Sequence, residues 1–146
     1  DLALREQGGF PRGPFEMLDY LGLEESMRAA AELYELSGRP ERFRPSGVLE
    51  AMLARGCRGR RNGRGFYLYG KEPPGTVNPL LGEILPGFGS RSAAPQETFR
   101  AVLGTVAAEA DAVAGESVAS SVDVDLAMRL TLGWPKGPCQ WAREGL

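Results

Sequence analysis

The chain has 146 residues, with 17 basic and 19 acidic side chains, a formal net charge of −2 and no histidine. One domain is the default at that length, and the balanced charge gives no overall pull toward nucleic acid or an anionic membrane. The lack of histidine excludes Ser-His and Cys-His triads, histidine acid–base chemistry and histidine metal sites, and the lone Cys57 and Cys139 exclude a structural zinc site.

The first predicted element is the helical word Asp1-Leu2-Ala3-Leu4-Arg5, stopped at Gly9, where a left-handed residue satisfies the last carbonyls without a Cβ clash. Phe10-Pro11-Arg12-Gly13-Pro14-Phe15 follows as a tight corner. Pro11 cannot continue the helix, and Pro14 suits the first position of the next, where a missing N–H costs nothing. A short helix over 14–21 stops at Gly22, and the next starts at the acidic pair Glu24 and Glu25 and runs to about Ser37. The spacing turns Met27, Ala30, Leu33 and Tyr34 inward. Pro45 opens a further helix with Val48, Leu49, Met52 and Leu53 on one face and Gly56 as its stop. After the basic turn Arg58 to Gly65, in which Asn62-Gly63 is a turn signal, 66–69 reads as a short extended piece.

From Gly70 to Pro95, five prolines and five glycines rule out a long regular element, although Leu80 to Leu85 is apolar enough to dock on the helices. This stretch reads as a connector, partly packed and partly mobile. A strong helix over 97–114 comes next, with Phe99, Val102, Leu103, Val106, Ala110 and Val113 at three- and four-residue spacings. Ser120 and Asp123 form a Ser-x-x-Asp cap for the helix that carries Asp125 to Leu132. A second corner, Gly133-Trp134-Pro135-Lys136-Gly137-Pro138, closes the reading.

The two corners belong to one repeat. Residues 1–17 and 125–141, at a fixed offset of 124, share eight identities in seventeen positions. Unrelated segments agree at roughly one position in such a window, which points to internal duplication. Copy two has a long helix ahead of its repeated word, and copy one has none, because Asp1 lands inside the equivalent of its second helix. The expectation is therefore a segment of a longer polypeptide, or else a short paralogue. It divides into 1–69, a first copy lacking its first helix; 70–95, a Pro/Gly-rich connector; and 96–146, a second copy cut short at its C-terminal end.

Gly9 to Leu23, Gly-Phe-Pro-Arg-Gly-Pro-Phe-Glu-Met-Leu-Asp-Tyr-Leu-Gly-Leu, is followed by Gly59 to Tyr69, Gly-Arg-Arg-Asn-Gly-Arg-Gly-Phe-Tyr-Leu-Tyr. This two-part pattern resembles the C-terminal domain of 3-hydroxyacyl-CoA dehydrogenase, and residues 118–138 resemble the same domain again. The resemblance implies an all-α fold, a helical bundle of two related copies of that domain (6-phosphogluconate dehydrogenase C-terminal-like), with one short extended segment near 66–69. It implies a parent enzyme that oxidises L-3-hydroxyacyl-CoA to 3-ketoacyl-CoA with NAD in fatty-acid β-oxidation. In the family the dinucleotide (Rossmann) fold and its His–Glu pair lie upstream, so no catalytic residue carries over and the isolated chain is expected to be inactive. The family's asparagine near the start of this domain's first helix has its counterpart position near Arg100. Single-copy relatives dimerise through this domain, so two copies in one chain resemble an internal dimer, and further self-association through exposed faces is a further expectation.

No catalytic, cofactor-binding or metal residue is assigned. Gly63-Arg64-Gly65-Phe66-Tyr67-Leu68 has leucine where a dinucleotide fingerprint needs its third glycine, so no cofactor is expected on this chain, NAD being the parent's. The substrate-binding candidates are Phe10, Pro11, Arg12, Gly13, Pro14 and Phe15, an apolar bend able to line the acyl end of a cleft; a purely structural corner is the competing and favoured reading. Arg55, Arg58, Arg60, Arg61 and Arg64 suit the phosphates of CoA by guanidinium geometry, or form a solvated turn paired with glutamates, which is favoured. Phe66, Tyr67 and Tyr69 read as a core-anchoring strand before a base-stacking platform, and Glu16 and Asp19, one turn apart, as solvated or capping residues before a carboxylate pair.

The expected partners are thus an upstream Rossmann domain, acyl-CoA and a second copy of the chain, with no nucleic acid. No apolar run approaches the twenty or so residues of a membrane span, no signal-peptide pattern opens the chain, and two reduced thiols fit a cytoplasmic protein. Two other classes remain. One is a stand-alone structural or oligomerisation module derived from the domain. The other, weaker, is a nucleic-acid binder using the Arg55 to Arg64 cluster, which would lose affinity steeply with salt.

Overall fold

The computed structural model describes residues 1–70, 75–90 and 93–145. It is all-α: α1 (Leu2–Gly8), α2 (Pro14–Leu21), α3 (Leu23–Leu36), α4 (Gly47–Ala54), α5 (Leu81–Ile84), α6 (Pro95–Gly115), α7 (Ser121–Leu132) and α8 (Pro138–Arg143). Extended pairing among the described residues consists of isolated antiparallel bridges, Gly59 with Arg64, Arg64 with Leu68 and Tyr67 with Val77, so the extended piece at 66–69 makes no sheet.

The helices stop where the repeated glycines stand. Gly9 and Gly133 end α1 and α7 in nearly the same left-handed geometry, φ 66° and ψ 26° against φ 68° and ψ 24°. Each N–H returns to the carbonyl of the repeat's arginine, Arg5 or Arg129. At the start of α7, Ser120 Oγ accepts from Asp123 N–H at 3.2 Å, while Asp123 Oδ2 lies 2.6 Å from that hydroxyl, which is the expected cap.

Two local expectations need correction. Pro45 does not open α4: Ser46 is its N-cap, with Oγ accepting from Val48 N–H at 3.3 Å, and the helix begins at Gly47. A side-chain acceptor outweighs the preference of proline for a first turn. Leu33 is 49% exposed and not inward, because α3 turns Leu23, Met27 and Tyr34 toward its neighbours and leaves the face of Leu33 and Leu36 to solvent.

The chain forms two compact units, Asp1–Gly13 with Ala93–Leu146, and Pro14–Ser92. The division falls inside the first corner, so it differs from the sequence division at 69 and 95. In the first unit, α6 is central, with α1, α7 and α8 packed on it. Its core joins Leu4, Phe10, Phe99 and Leu103, with Trp134 and Trp141 against them. Phe10 meets Phe99 edge-on with ring centroids 6.3 Å apart, and Phe99 meets Trp141 at 5.4 Å. In the second unit, α2, α3, α4 and α5 surround Leu23, Leu49, Met52, Cys57, Phe66 and Leu81. Leu80 to Leu85 docks there, as its apolar pattern predicts. Both cysteines are free and buried. Among the described residues no helix is long and apolar enough to cross a membrane.

Candidate functional site

The first corner is divided between the two units. Phe10 is 3% exposed, and its ring lies 4.6 Å from that of Trp134, its own counterpart at offset 124. Gly13 is buried against Asp1, and a Cβ there would run into the aspartate's backbone and carboxylate. Gly137 meets Asp125 in the same way. Asp125 Oδ1 accepts from Cys139 N–H at 2.8 Å, and its Oδ2 from the Arg143 guanidinium at 3.2 Å. This carboxylate therefore satisfies an orphan donor in the first turn of α8 and pins the corner onto α7. Burial, then the Asp125 charge, push the Cys139 thiol up, so it is held neutral.

Of the six candidates, Pro11, Pro14 and Phe15 are exposed, Arg12 is half-buried, and Phe10 and Gly13 are interior. Phe15 lies on the Phe66 ring at 4.7 Å and remains 46% exposed. Phe10 is thus spent on the core of one unit, while Phe15 offers apolar surface on the other.

The most constrained polar feature is one that sequence reasoning missed. Asp19 is neither solvated nor a cap: it is 1% exposed on α2. Its Oδ1 accepts from Phe66 N–H at 2.9 Å, and its Oδ2 from Tyr67 N–H and from the Tyr69 hydroxyl, each at 3.0 Å. Gly65 is in contact with this carboxylate and Gly59 with the Asp19 backbone, so a Cβ at either position would collide. Asn78 closes the other side of the strap, donating from Nδ2 to Gly65 O at 2.7 Å and accepting from Leu80 N–H at 3.1 Å. The sequence signal was Asp19 beside Leu18 on a short apolar helix, together with closely spaced glycines in the later segment.

Burial raises the Asp19 carboxyl above its ordinary range, against the three donors that favour its charge. Burial, then the bond to Asp19, push the Tyr69 phenol far up. Buried at 1% exposure with three donors aimed at it, Asp19 acts as a clasp between α2 and the 66–69 segment. Glu16 contributes a further negative charge near Tyr69.

The basic turn is largely engaged. Arg58 pairs with Glu24, Arg61 with Glu25 at 3.0 Å, and the Arg60 guanidinium lies 5.5 Å from the Tyr69 ring centre. Asn62 orders the turn by donating to Gly56 O at 2.8 Å and accepting from the N–H groups of Arg58 and Arg64. The dinucleotide test fails on geometry: Gly63 and Gly65 lead into bridged residues, whereas a pyrophosphate cradle needs a helix N-terminus there. Among the described residues, no cluster of three His, Cys, Asp or Glu side chains is arranged to hold a metal.

Residues 1–69 match the family model for the C-terminal domain of 3-hydroxyacyl-CoA dehydrogenase. The fold of the chain is similar to that of 3-hydroxybutyryl-CoA dehydrogenase from Escherichia coli K12, with a TM-score of 0.72 over 99% of this chain at 20% identity. The chain spans 46% of the length of that protein.

Proposed function

Taking residues 1–69 as a C-terminal domain of the 3-hydroxyacyl-CoA dehydrogenase family, we propose that the chain is the substrate-cleft and assembly portion of an NAD-dependent member. The parent enzyme would convert L-3-hydroxyacyl-CoA to 3-ketoacyl-CoA in fatty-acid β-oxidation, in the cytoplasm. The family match over 1–69 is the observation that carries this reading, and the similar fold over nearly the whole chain supports it. Residues 96–146 are a second, diverged copy, a reading supported by the matched glycine stops and the matched Asp–Gly clasps at offset 124.

The division of labour follows from what these residues can and cannot do. Hydride and proton transfer belong to an upstream dinucleotide fold. This chain contributes a rigid helical wall, held by the Asp19 clasp, which presents Phe15 beside Phe66 as apolar surface for an acyl chain. The exposed guanidinium of Arg64 on the basic turn is suited to a phosphate of the CoA moiety.

Titration of the chain with NADH and with acetoacetyl-CoA, separately, tests the assignment. No NADH binding, no dehydrogenase activity and weak CoA-ester binding are expected. Tight NADH binding would overturn the division of labour. Complete indifference to the CoA ester would remove the cleft role and leave a structural or oligomerisation module.

A further inference from the structure

We propose that Asn62 is a deamidation site that the fold holds in check. The hydrogen bonds that build the basic turn keep its carboxamide from cyclising, and conversion to aspartate or isoaspartate, once the turn opens, stops it from reclosing. The chain has two asparagines, Asn62 and Asn78. Cyclisation uses the backbone nitrogen of the next residue as nucleophile. Asn78 is buried and is followed by Pro79, whose nitrogen has no proton to lose. Asn62 is exposed and is followed by Gly63, which has no Cβ to shield its nitrogen. In the first step the Gly63 nitrogen gives its proton to a solvent base and bonds to Asn62 Cγ, the Cγ–Nδ2 bond breaks, and ammonia leaves. In the second, water opens the resulting succinimide at either carbonyl, giving aspartate or an isoaspartate through which the main chain runs by way of Cγ.

The geometry activates the carboxamide and restrains its attacker. Asn62 Oδ1 accepts from the N–H groups of Arg58 and Arg64 at 3.2 and 3.3 Å, which draws electron density from Cγ as an oxyanion hole does. The leaving nitrogen is tethered, with Nδ2 donating to Gly56 O at 2.8 Å. The nucleophile is turned away: Gly63 N–H is aimed at Arg60 O, 3.2 Å off, and closes the 3-10 turn over Arg60–Asn62. Reaction therefore needs that turn to open. Two ion pairs oppose opening by fixing the turn to α3, Arg58 with Glu24 and Arg61 with Glu25. All of these residues belong to the second unit.

Either product undoes the turn. Aspartate places an oxygen where Nδ2 now donates, so two acceptors, the carboxylate and the Gly56 carbonyl, meet in place of a hydrogen bond. Isoaspartate inserts a methylene into the main chain of a turn whose ends are bonded in register. Arg58 N–H and Gly59 N–H both donate to Arg64 O at 2.9 Å, and Tyr69 N–H donates to Gly63 O at 2.9 Å. The extra atom breaks that register and loosens the strap that the Asp19 clasp holds.

The test is incubation of the whole chain in mildly alkaline buffer, with and without urea, followed by peptide mapping that resolves the asparagine, aspartate and isoaspartate forms. In urea Asn62 is expected to convert while Asn78 does not, and in the folded protein conversion of Asn62 should be at least about tenfold slower. Glu24→Gln combined with Glu25→Gln releases the anchors on α3 and should raise the folded-state rate about threefold, with circular dichroism and the rate in urea unchanged. The converted fraction, separated by ion exchange, should be cut by trypsin within 58–64 about tenfold faster than the unconverted chain under native conditions. Equal rates in the folded and urea-unfolded chain, a folded-state rate indifferent to the double variant, or equal tryptic cleavage of the two fractions would overturn the proposal.

Discussion

Replacing Asp19 by asparagine tests the claim that a single carboxylate holds the second unit together. Its oxygens accept from Phe66 N–H, Tyr67 N–H and the Tyr69 hydroxyl at 2.9 to 3.0 Å, inside a site that is 1% exposed. Asparagine keeps one acceptor oxygen and presents an amide N–H₂ where the other stood, so at least one buried donor loses its partner and faces another donor. Leaving a buried donor unsatisfied costs about 1–3 kcal/mol. Removing the charge relieves part of its desolvation, which offsets a fraction of that loss. The net expectation for Asp19→Asn is therefore roughly 2 kcal/mol of destabilisation, read as a shift in urea midpoint at constant slope. Tyr69→Phe removes one donor and leaves no orphan, and should cost only about 0.5–1.5 kcal/mol. In the double variant the costs should fall short of additivity, because the partners are shared. An Asp19→Asn variant as stable as the parent, or a Tyr69→Phe loss larger than the Asp19→Asn loss, would refute the clasp.

The pH dependence of the same variant carries a definite sign. The Asp19 carboxyl is raised in the folded state, burial being the largest cause, so the native protein takes up this proton before the unfolded chain does. Its contribution is fully present below the unfolded value of 3.8 and is lost as pH rises through the raised folded value. The deficit of Asp19→Asn relative to the parent should then be larger at pH 4 than at pH 7, and a deficit that shrinks on acidification would contradict this. Phe10 and Phe15, at opposite ends of the candidate corner, should behave oppositely. Phe10→Ala removes a ring from the packed contacts with Phe99 and Trp134 and should cost about 3–5 kcal/mol. Phe15→Ala, half-exposed on Phe66, should cost well under that in thermal denaturation and should weaken acetoacetyl-CoA binding instead.

What the sequence made legible was whatever short-range chemistry dictates. Glycine at 9 and 133, proline at 14 and 138 and serine at 120 each announce a helix end through one local backbone requirement, and the helices stop or start there. The apolar periodicity of 97–114 likewise settled α6 to within a residue or two. Illegible were the features that depend on partners far along the chain. Asp19 reads as solvated because its donors arrive forty-seven to fifty residues later, and nothing in a lone helix says that its polar residue will be buried. Leu33 reads as inward because periodicity defines a face but not its width, and α3 covers only part of that face.

The candidate site was legible to a smaller degree, for a related physical reason. The corner was correctly placed, but its residues lie in separate packing environments, and composition alone could not divide Phe10 from Phe15. Asp125 shows why a repeated corner is first of all a folding device. A carboxylate about two turns before the glycine stop satisfies the N–H of Cys139, and only a glycine at 137 lets the two backbones approach closely enough. The same Asp–Gly pair recurs as Asp1 with Gly13, although Phe15 gives way to Cys139 across the copies. Conformation is thus kept at both corners while this side chain changes. On the proposed cleft role, acyl contact would fall to what differs between the corners, above all Phe15 and its support on Phe66.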